Sequence, residues 1–153
     1  MSDFVTAVVA IDDSAPAADA AALANALARP QQGGRVFGVH VAPDVDPPLR
    51  ATLFPFANLG DDHDEIRAHI DAQATQRAAR RVHKLLHADK IRAAHGSFAS
   101  AFMHTARELG ATLVVLPAEP NATDGAFREG TRTVASQAHV PVVIARGGER
   151  GHA

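Results

Sequence analysis

The sequence predicts an α/β fold: a single three-layer domain with a five-stranded parallel sheet and helices on both faces. Short apolar runs rich in β-branched residues alternate with longer stretches whose apolar residues recur at helical spacing. Neither an internal repeat nor a linker divides the 153 residues, a length that fits one domain. Because strands joined by helical crossovers lie parallel, five strands with four connections between them imply one parallel sheet.

The first two strands enclose a short helix. Phe4 to Ile11 is too short and too β-branched for a helix and is predicted to be a buried strand. Ser14 can cap the following helix, and Pro16 falls in the first turn, where proline is tolerated. Pro30 ends that helix, and Arg35 to Val41 forms the second strand.

A proline-rich segment separates the second strand from the longest helix. Residues 42–60 contain four prolines and are predicted to be an irregular loop. The helix begins near Asp61 and Asp62, since carboxylates favour a helix N-terminus. Apolar residues at steps of four predict its buried stripe: Ile66, Ile70, Ala74, Ala78, Val82 and Leu86.

The second half of the chain continues the alternation. Lys90 to His95 is the predicted third strand, and Ser97 caps a helix that ends at Gly110. The buried face of this helix is predicted to consist of Phe98, Phe102, Ala106 and Leu109. Thr112 to Leu116 forms the fourth strand.

The last elements are a fourth helix and an edge strand. The helix is predicted to end near Ala138, and Val140 to Ala145 forms the fifth strand. Because Pro141 cannot donate to a strand ladder, this strand is expected at an edge of the sheet. The domain therefore spans residues 1–146, and residues 147–153 form a tail.

Composition excludes several classes of function. A net charge of −2 offers no general attraction to nucleic acid or to an anionic membrane. Without cysteine, the chain has no disulfide, iron–sulfur cluster or thiol nucleophile. No apolar run approaches the ~18 residues of a membrane span, and the first residues lack a secretory pattern. A cytoplasmic location is expected.

The ligand site of a parallel sheet lies beyond the carboxyl ends of its strands, where the strand order reverses. Two segments occupy such positions. One is Asp12-Asp13-Ser14 after the first strand, and the other is the segment from Pro117 to Thr131 after the fourth.

Four short motifs in order resemble the universal stress protein family: VVAIDDS, GVHV, HGSFASAF and TLVVLP…GT…VPVVIA. The resemblance covers residues 4–146. It implies the strand order 3-2-1-4-5 and a homodimer, often paired through the fifth strand. In many members it also implies ATP held between the ends of the first and fourth strands. Carried onto this sequence, the ligand-binding positions are Asp12, Val41, Gly130 and Thr131.

The phosphate-binding loop departs from the family pattern. The family has glycines where this chain has Pro117 and Pro120, whereas Gly130 and Thr131 match the last two positions. Proline lacks the N–H that a phosphate oxygen needs and has a fixed φ. Glu119 and Asp124 add negative charge. The sequence therefore predicts a regulatory protein without cofactor that acts through an unknown protein partner or small ligand. The alternative is an ATP- or AMP-binding switch, with or without magnesium.

Each binding position also has a purely structural interpretation. Asp12 can be a turn or cap residue, Val41 can simply end a buried strand, and Gly130-Thr131 can start the fourth helix with Thr131 as its cap. His40 is interpreted as a satisfied core or interface side chain. His95 is placed near the rim of the cleft.

Two further clusters are interpreted as solvated surface. His83 and His87 are spaced to share one helix face, with His63 as a third conceivable zinc ligand, but cysteine is absent and no third ligand has a diagnostic spacing. A basic cluster on the same helix lacks accompanying Tyr or Trp, so nucleic-acid binding is not expected. The cluster comprises Arg77, Arg80, Arg81 and Lys84.

No catalytic residue is predicted. A phosphate-accepting receiver domain would need an Asp and a Lys where this chain has His95 and Arg146. The Ser-Gly-Gly turn of ATP pyrophosphatases and the G-x-S-x-G motif of serine hydrolases are both missing. A weak ATPase activity is the least favoured alternative.

Overall fold

The computed structural model describes residues 4–12, 14–42, 62–118 and 125–145, with all their side chains except those of 62–64 and 125–129. The predictions for residues 43–61, Asp13, residues 119–124 and the tail lie outside the described residues.

Five strands form one parallel sheet in the order β3-β2-β1-β4-β5, which confirms the predicted fold and strand order. The strands are β1 (Thr6–Ala10), β2 (Arg35–Ala42), β3 (Ile91–His95), β4 (Leu113–Pro117) and β5 (Val142–Ala145). The order reverses between β1 and β4, because the chain builds outward from β1 in one direction and then from β4 in the other. The carboxyl ends of β1 and β4 therefore frame the position at which such sheets bind ligands.

Within the described residues, four helices cover the two faces of the sheet. They are α1 (Ala15–Ala28), α2 (Asp62–Arg81), α3 (Phe98–Glu108) and α4 (Gly125–Gln137). Side chains of α1 and α2 share one buried cluster with Ala7 and Val9. Side chains of α3 and α4 share the other with Val8 and Ala10. Successive residues of β1 thus serve opposite faces, as the two-residue period of a strand requires.

Three of the predicted helix boundaries have identifiable causes. The Ser14 hydroxyl accepts a hydrogen bond from the Ala17 N–H, so this predicted cap is confirmed. Helix α1 ends where Arg29 takes a left-handed φ of 53° ahead of Pro30. Gly110 has a φ of +73° directly after the last turn of α3, as its predicted role requires. Ser97 occupies the N-cap position of α3, but its side chain makes no cap hydrogen bond, so that part of the prediction is wrong.

The predicted stripe of α2 is only half buried. Ala78 lies in the core, and Val82 and Leu86 follow it there from the turns after the helix. Ile66 and Ile70 are each 42% exposed, so their assignment to the core is wrong. The physical reason is that only the C-terminal part of α2 packs on α1 and the sheet, whereas its apolar period continues beyond that contact.

The positions of two prolines follow from the ladder. β5 is an edge strand, as predicted, and Pro141 stands just before it, where its carbonyl accepts from the Val114 N–H. Pro117 is the last residue of β4, not the first of a loop.

Among the described residues, no helix is long and apolar enough to cross a membrane.

Candidate functional site at the carboxyl ends of the strands

A cavity of about 170 Å³ opens at the point where the strand order reverses. It is lined by the ends of three strands and the start of α3: Ala10, Ile11, Asp12, His40, Val41, Phe98 and Pro117. The structure therefore brings together three of the residues singled out in the sequence: Asp12, Val41 and Pro117. Parallel strands end at one edge of the sheet, which is why residues more than a hundred positions apart meet here.

Asp12 combines a turn role with a place in the cavity wall. One carboxylate oxygen, Oδ1, accepts a 2.8 Å hydrogen bond from the Ser14 N–H, which fixes the turn into α1. The other oxygen has no hydrogen-bond partner among the described residues. The structural interpretation of Asp12 is thus confirmed, and it leaves one oxygen for a ligand.

His40 is held by α2. Its Nδ1 lies 3.0 Å from the hydroxyl oxygen of Thr75, and the ring is half-buried. The prediction that His40 is a satisfied side chain is confirmed. The sequence did not place it in the cavity wall, although its position beside Val41 at the end of a strand was the available indication.

Phe98 also lines the cavity, a role that was not predicted. Phe98 is the first residue of α3, and its ring faces both the cavity and helix α4. Its ring stacks on that of Phe102, with centroids 5.5 Å apart. Its predicted place on the buried face of α3 accounts for only part of its contacts.

Gly130 and Thr131 do not form part of the cavity wall. Helix α4 begins at Gly125, so both lie in its interior, and the expectation that they start the helix with Thr131 as the cap is wrong. Gly130 packs against Phe98 at a distance that no Cβ atom would allow. The Thr131 hydroxyl oxygen is buried and has no hydrogen-bond partner among the described residues.

His95 faces a different depression. Its Nδ1 lies 3.2 Å from Oδ2 of Asp71, and both side chains line a wide groove between α2 and β3. The same carboxylate oxygen is 3.9 Å from Nε of Arg67. His95 is therefore not at the rim of the strand-end cavity, because the alternation of β3 turns it toward α2.

The histidine pair proposed for zinc is also separated. Helix α2 ends at Arg81, so His83 and His87 lie in the following turns and not on one helix face. The Nδ1 atom of His83 is 2.7 Å from the carbonyl oxygen of Arg80. Within the part of the chain that the structure describes, no group of three metal-ligating side chains exists. The side chain of His63 lies outside that part.

A doubly wound parallel domain with a cavity at its strand-order reversal is the class that fold and site define. The sequence model of the universal stress protein family matches residues 4–146. The chain belongs to the universal stress protein family. No curated protein matches its sequence significantly.

Solved structures of this family share the fold. A universal stress protein from Burkholderia pseudomallei is 23% identical, with a TM-score of 0.55, and the match covers 94% of this chain and 97% of that one. A universal stress protein in complex with cAMP is 19% identical, with a TM-score of 0.59, over 95% and 99% of the two chains. The protein from Archaeoglobus fulgidus in complex with dAMP is 19% identical, with a TM-score of 0.51, over 92% and 97%.

Proposed function

We propose that this universal stress protein is a non-catalytic regulatory protein that does not hold ATP tightly and that acts through a protein partner or a small ligand. The proposal depends on Pro117, which closes β4 and forms part of the cavity wall beside Asp12 and Val41.

Pro117 removes a hydrogen-bond donor at the place where a phosphate would approach. It is buried, it has no N–H, and its φ is fixed by the ring. A hydrogen bond to a charged phosphate contributes roughly 1.5–3 kcal/mol. If Pro120 removes a second donor, the combined loss is on the order of 10²–10⁴ in affinity.

The size and charge of the cavity support the same conclusion. Its volume of about 170 Å³ falls below the roughly 300–1,000 Å³ of common small-molecule sites. Among the described residues of its wall, Asp12 alone carries a formal charge at neutral pH, and that charge is negative. A small neutral group fits such a cavity better than a triphosphate.

The cavity wall also lacks a catalytic arrangement among the described residues. A hydrolase needs a nucleophile or activated water beside a general base. Nδ1 of His40 lies 3.0 Å from the Thr75 hydroxyl oxygen, and none of the described residues that line the cavity carries a hydroxyl or thiol group. We therefore propose no enzymatic activity.

A homodimer paired through β5 is part of the proposal. β5 is an edge strand, and Ile144 on it is 48% exposed. Pairing with a second copy would cover that side chain. We also propose a protein partner and a location in the cytoplasm, and we propose no role for nucleic acid or a membrane.

The alternative is a switch that binds ATP or AMP, with or without magnesium. It is favoured by the two solved relatives described as complexes with cAMP and dAMP. It is also favoured by the second carboxylate oxygen of Asp12, which has no hydrogen-bond partner among the described residues and belongs to a residue of the cavity wall.

A thermal-shift series with ATP, ADP, AMP and cAMP, each with and without magnesium, distinguishes the two functions. A ligand at about 100 times its Kd adds about 2.7 kcal/mol to the free energy of unfolding. At about 2–4 °C per kcal/mol, this raises Tm by several degrees. An unchanged Tm at millimolar nucleotide supports the proposal. A clear rise with ATP contradicts it and supports the switch.

The role of the prolines is tested by restoring the donors. The double variant Pro117→Ala/Pro120→Ala returns two N–H groups, and Pro117→Gly/Pro120→Gly also returns backbone freedom. We expect both to gain nucleotide affinity, the glycine variant more. Pro30→Ala is the matched control, because Pro30 lies before the amino-terminal end of β2 and does not line the cavity. Equal affinities in all four proteins would show that the prolines are not what limits binding.

A further inference from the structure

The segment from residue 77 to residue 92 concentrates positive charge. Six of the 15 Lys and Arg residues fall in it, but only one of the 17 Asp and Glu residues. The segment therefore carries a formal charge of +5, while the rest of the chain carries −7. It comprises the last turn of α2, the connection after it and the start of β3. We call this segment the basic corner. It lies at the amino-terminal end of β3, which is the edge strand opposite β5.

Two of its cations are held in place by one aromatic ring. The Lys90 ammonium lies 5.2 Å from the centroid of the Phe37 ring, and the Arg92 guanidinium carbon lies 5.5 Å from it. Phe37 is only 8% exposed and belongs to the core, so the ring is a fixed platform. Cations placed in this way over an aromatic ring are attracted to its electron-rich face. Their positions are set before any partner arrives, which lowers the entropy lost on binding.

The guanidinium of Arg92 is also oriented. Its Nη1 donates to the carbonyl oxygen of Asp89 at 2.6 Å and to that of Ile91 at 3.1 Å. These two bonds use both hydrogens of Nη1. The Nε and Nη2 hydrogens have no partner among the described residues, and Arg92 is exposed. Those two nitrogens form the edge with which arginine binds a carboxylate through two parallel hydrogen bonds.

Three more cations lie at the end of α2 and in the turn after it, in the helix layer that covers the other face of the sheet from Phe37. Arg80, Arg81 and Lys84 are exposed, and none of them makes an ion pair with a described residue. Lys90 follows Lys84 by six positions, which span at most about 20 Å even when extended, and this connection contains turns. At low salt, the charge of these three cations therefore adds to the positive potential at Lys90 and Arg92.

We infer that the basic corner binds an acidic segment of a partner protein. In this complex Nε and Nη2 of Arg92 both donate to one carboxylate, and Lys90 lies beside it. A protein segment is favoured over nucleic acid because the charge of −7 on the remainder of the chain repels a long polyanion, whereas a short acidic segment need touch only the corner. Residues 77–92 contain no Phe, Tyr or Trp on which bases would stack, and Phe37 is buried beneath the two cations. This inference goes beyond the proposed function and does not depend on whether the strand-end cavity holds a nucleotide.

The test is binding of a fluorescent oligoglutamate of about eight residues, which spans about 26–29 Å when extended. Affinity is measured by anisotropy at low salt and at increasing salt, beside an oligothymidylate of equal charge. We expect oligoglutamate to bind, to weaken with salt and to bind more tightly than oligothymidylate. Failure of oligoglutamate to bind at low salt, or tighter binding of oligothymidylate, overturns the inference.

Variants locate the binding surface. Lys90→Gln/Arg92→Gln should weaken oligoglutamate binding by about tenfold or more, because two charge-assisted contacts are lost. Arg107→Gln/Arg132→Gln, which removes the same charge from exposed sites elsewhere, should change it by less than about twofold. Arg92→Lys keeps the charge but not the two-donor edge, and should weaken binding by an intermediate factor. Equal losses in the two double variants, or full affinity in Arg92→Lys, would overturn the assignment. Melting curves verify that each variant is folded.

Discussion

A Cβ atom built on Gly130 would lie 2.8 Å from Cδ1 of Phe98 and 3.2 Å from its Cβ. Helix α4 therefore approaches the start of α3 more closely than any residue with a side chain allows. The glycine that matches the family's phosphate loop has a packing role here, and the ring that it contacts is part of the cavity wall.

Gly130→Ala is expected to destabilise the fold despite alanine's better helix propensity. Overpacking costs about 1–3 kcal/mol, whereas the propensity gain is about 1 kcal/mol, so the net loss is about 0–2 kcal/mol. Urea unfolding measures it. In a Phe98→Ala background the ring contact is gone, and the same substitution should cost less or become favourable. An equal loss in both backgrounds would contradict the steric explanation.

The two ends of the α2 stripe should respond differently to truncation. Leu86 is 4% exposed, and Leu86→Ala is expected to lower the free energy of unfolding by about 2–5 kcal/mol. Ile70 is 42% exposed, and Ile70→Ala should change it by no more than about 0.5 kcal/mol. Urea unfolding of both variants provides the comparison. A loss of similar size at Ile70 would place that side chain in the core, as its spacing alone predicted.

The sequence predicts what depends on local pattern and fails where the answer depends on where elements meet. The runs around Val8 and Val115 define central strands because β-branched residues fill a sheet that is covered on both faces. Periodicity identified α2 as a helix, but it carries no information on how far the helix extends past its neighbours. Ile66 was therefore misassigned. The hydrogen bond from the Asn25 side chain to the Leu85 carbonyl joins residues 60 positions apart and has no local indication.

In the candidate site, too, local pattern predicted the positions of some residues and not of others. Asp12 and Val41 could be placed together because strand ends of a parallel sheet converge. Thr131 was misplaced, since a polar segment without a clear cap does not show that α4 begins at Gly125. The contact of Gly130 with Phe98 depends on the packing of two helices, which no pattern in either segment encodes.

Gly110→Ala tests the turn after α3. The φ of +73° at this residue is costly for any side chain, although nothing lies within 4 Å of an added Cβ. The expected loss of about 1–2 kcal/mol is therefore due to the backbone alone. Gly110→Asn is the control, because asparagine tolerates this conformation better and should lose less. Equal stability of the alanine and asparagine variants in urea unfolding would contradict the prediction.

Thr131→Val examines the buried hydroxyl without a partner. An unsatisfied buried polar atom costs about 1–3 kcal/mol, so replacing the hydroxyl by a methyl group should raise the free energy of unfolding by about 1 kcal/mol. The matched control is Thr105→Val in α3, where the half-buried hydroxyl donates to the Ala101 carbonyl at 3.0 Å, and a loss of stability is expected. Urea unfolding gives both values. If Thr131→Val is destabilising as well, the hydroxyl has a hydrogen-bond partner in the folded protein, and the prediction is contradicted.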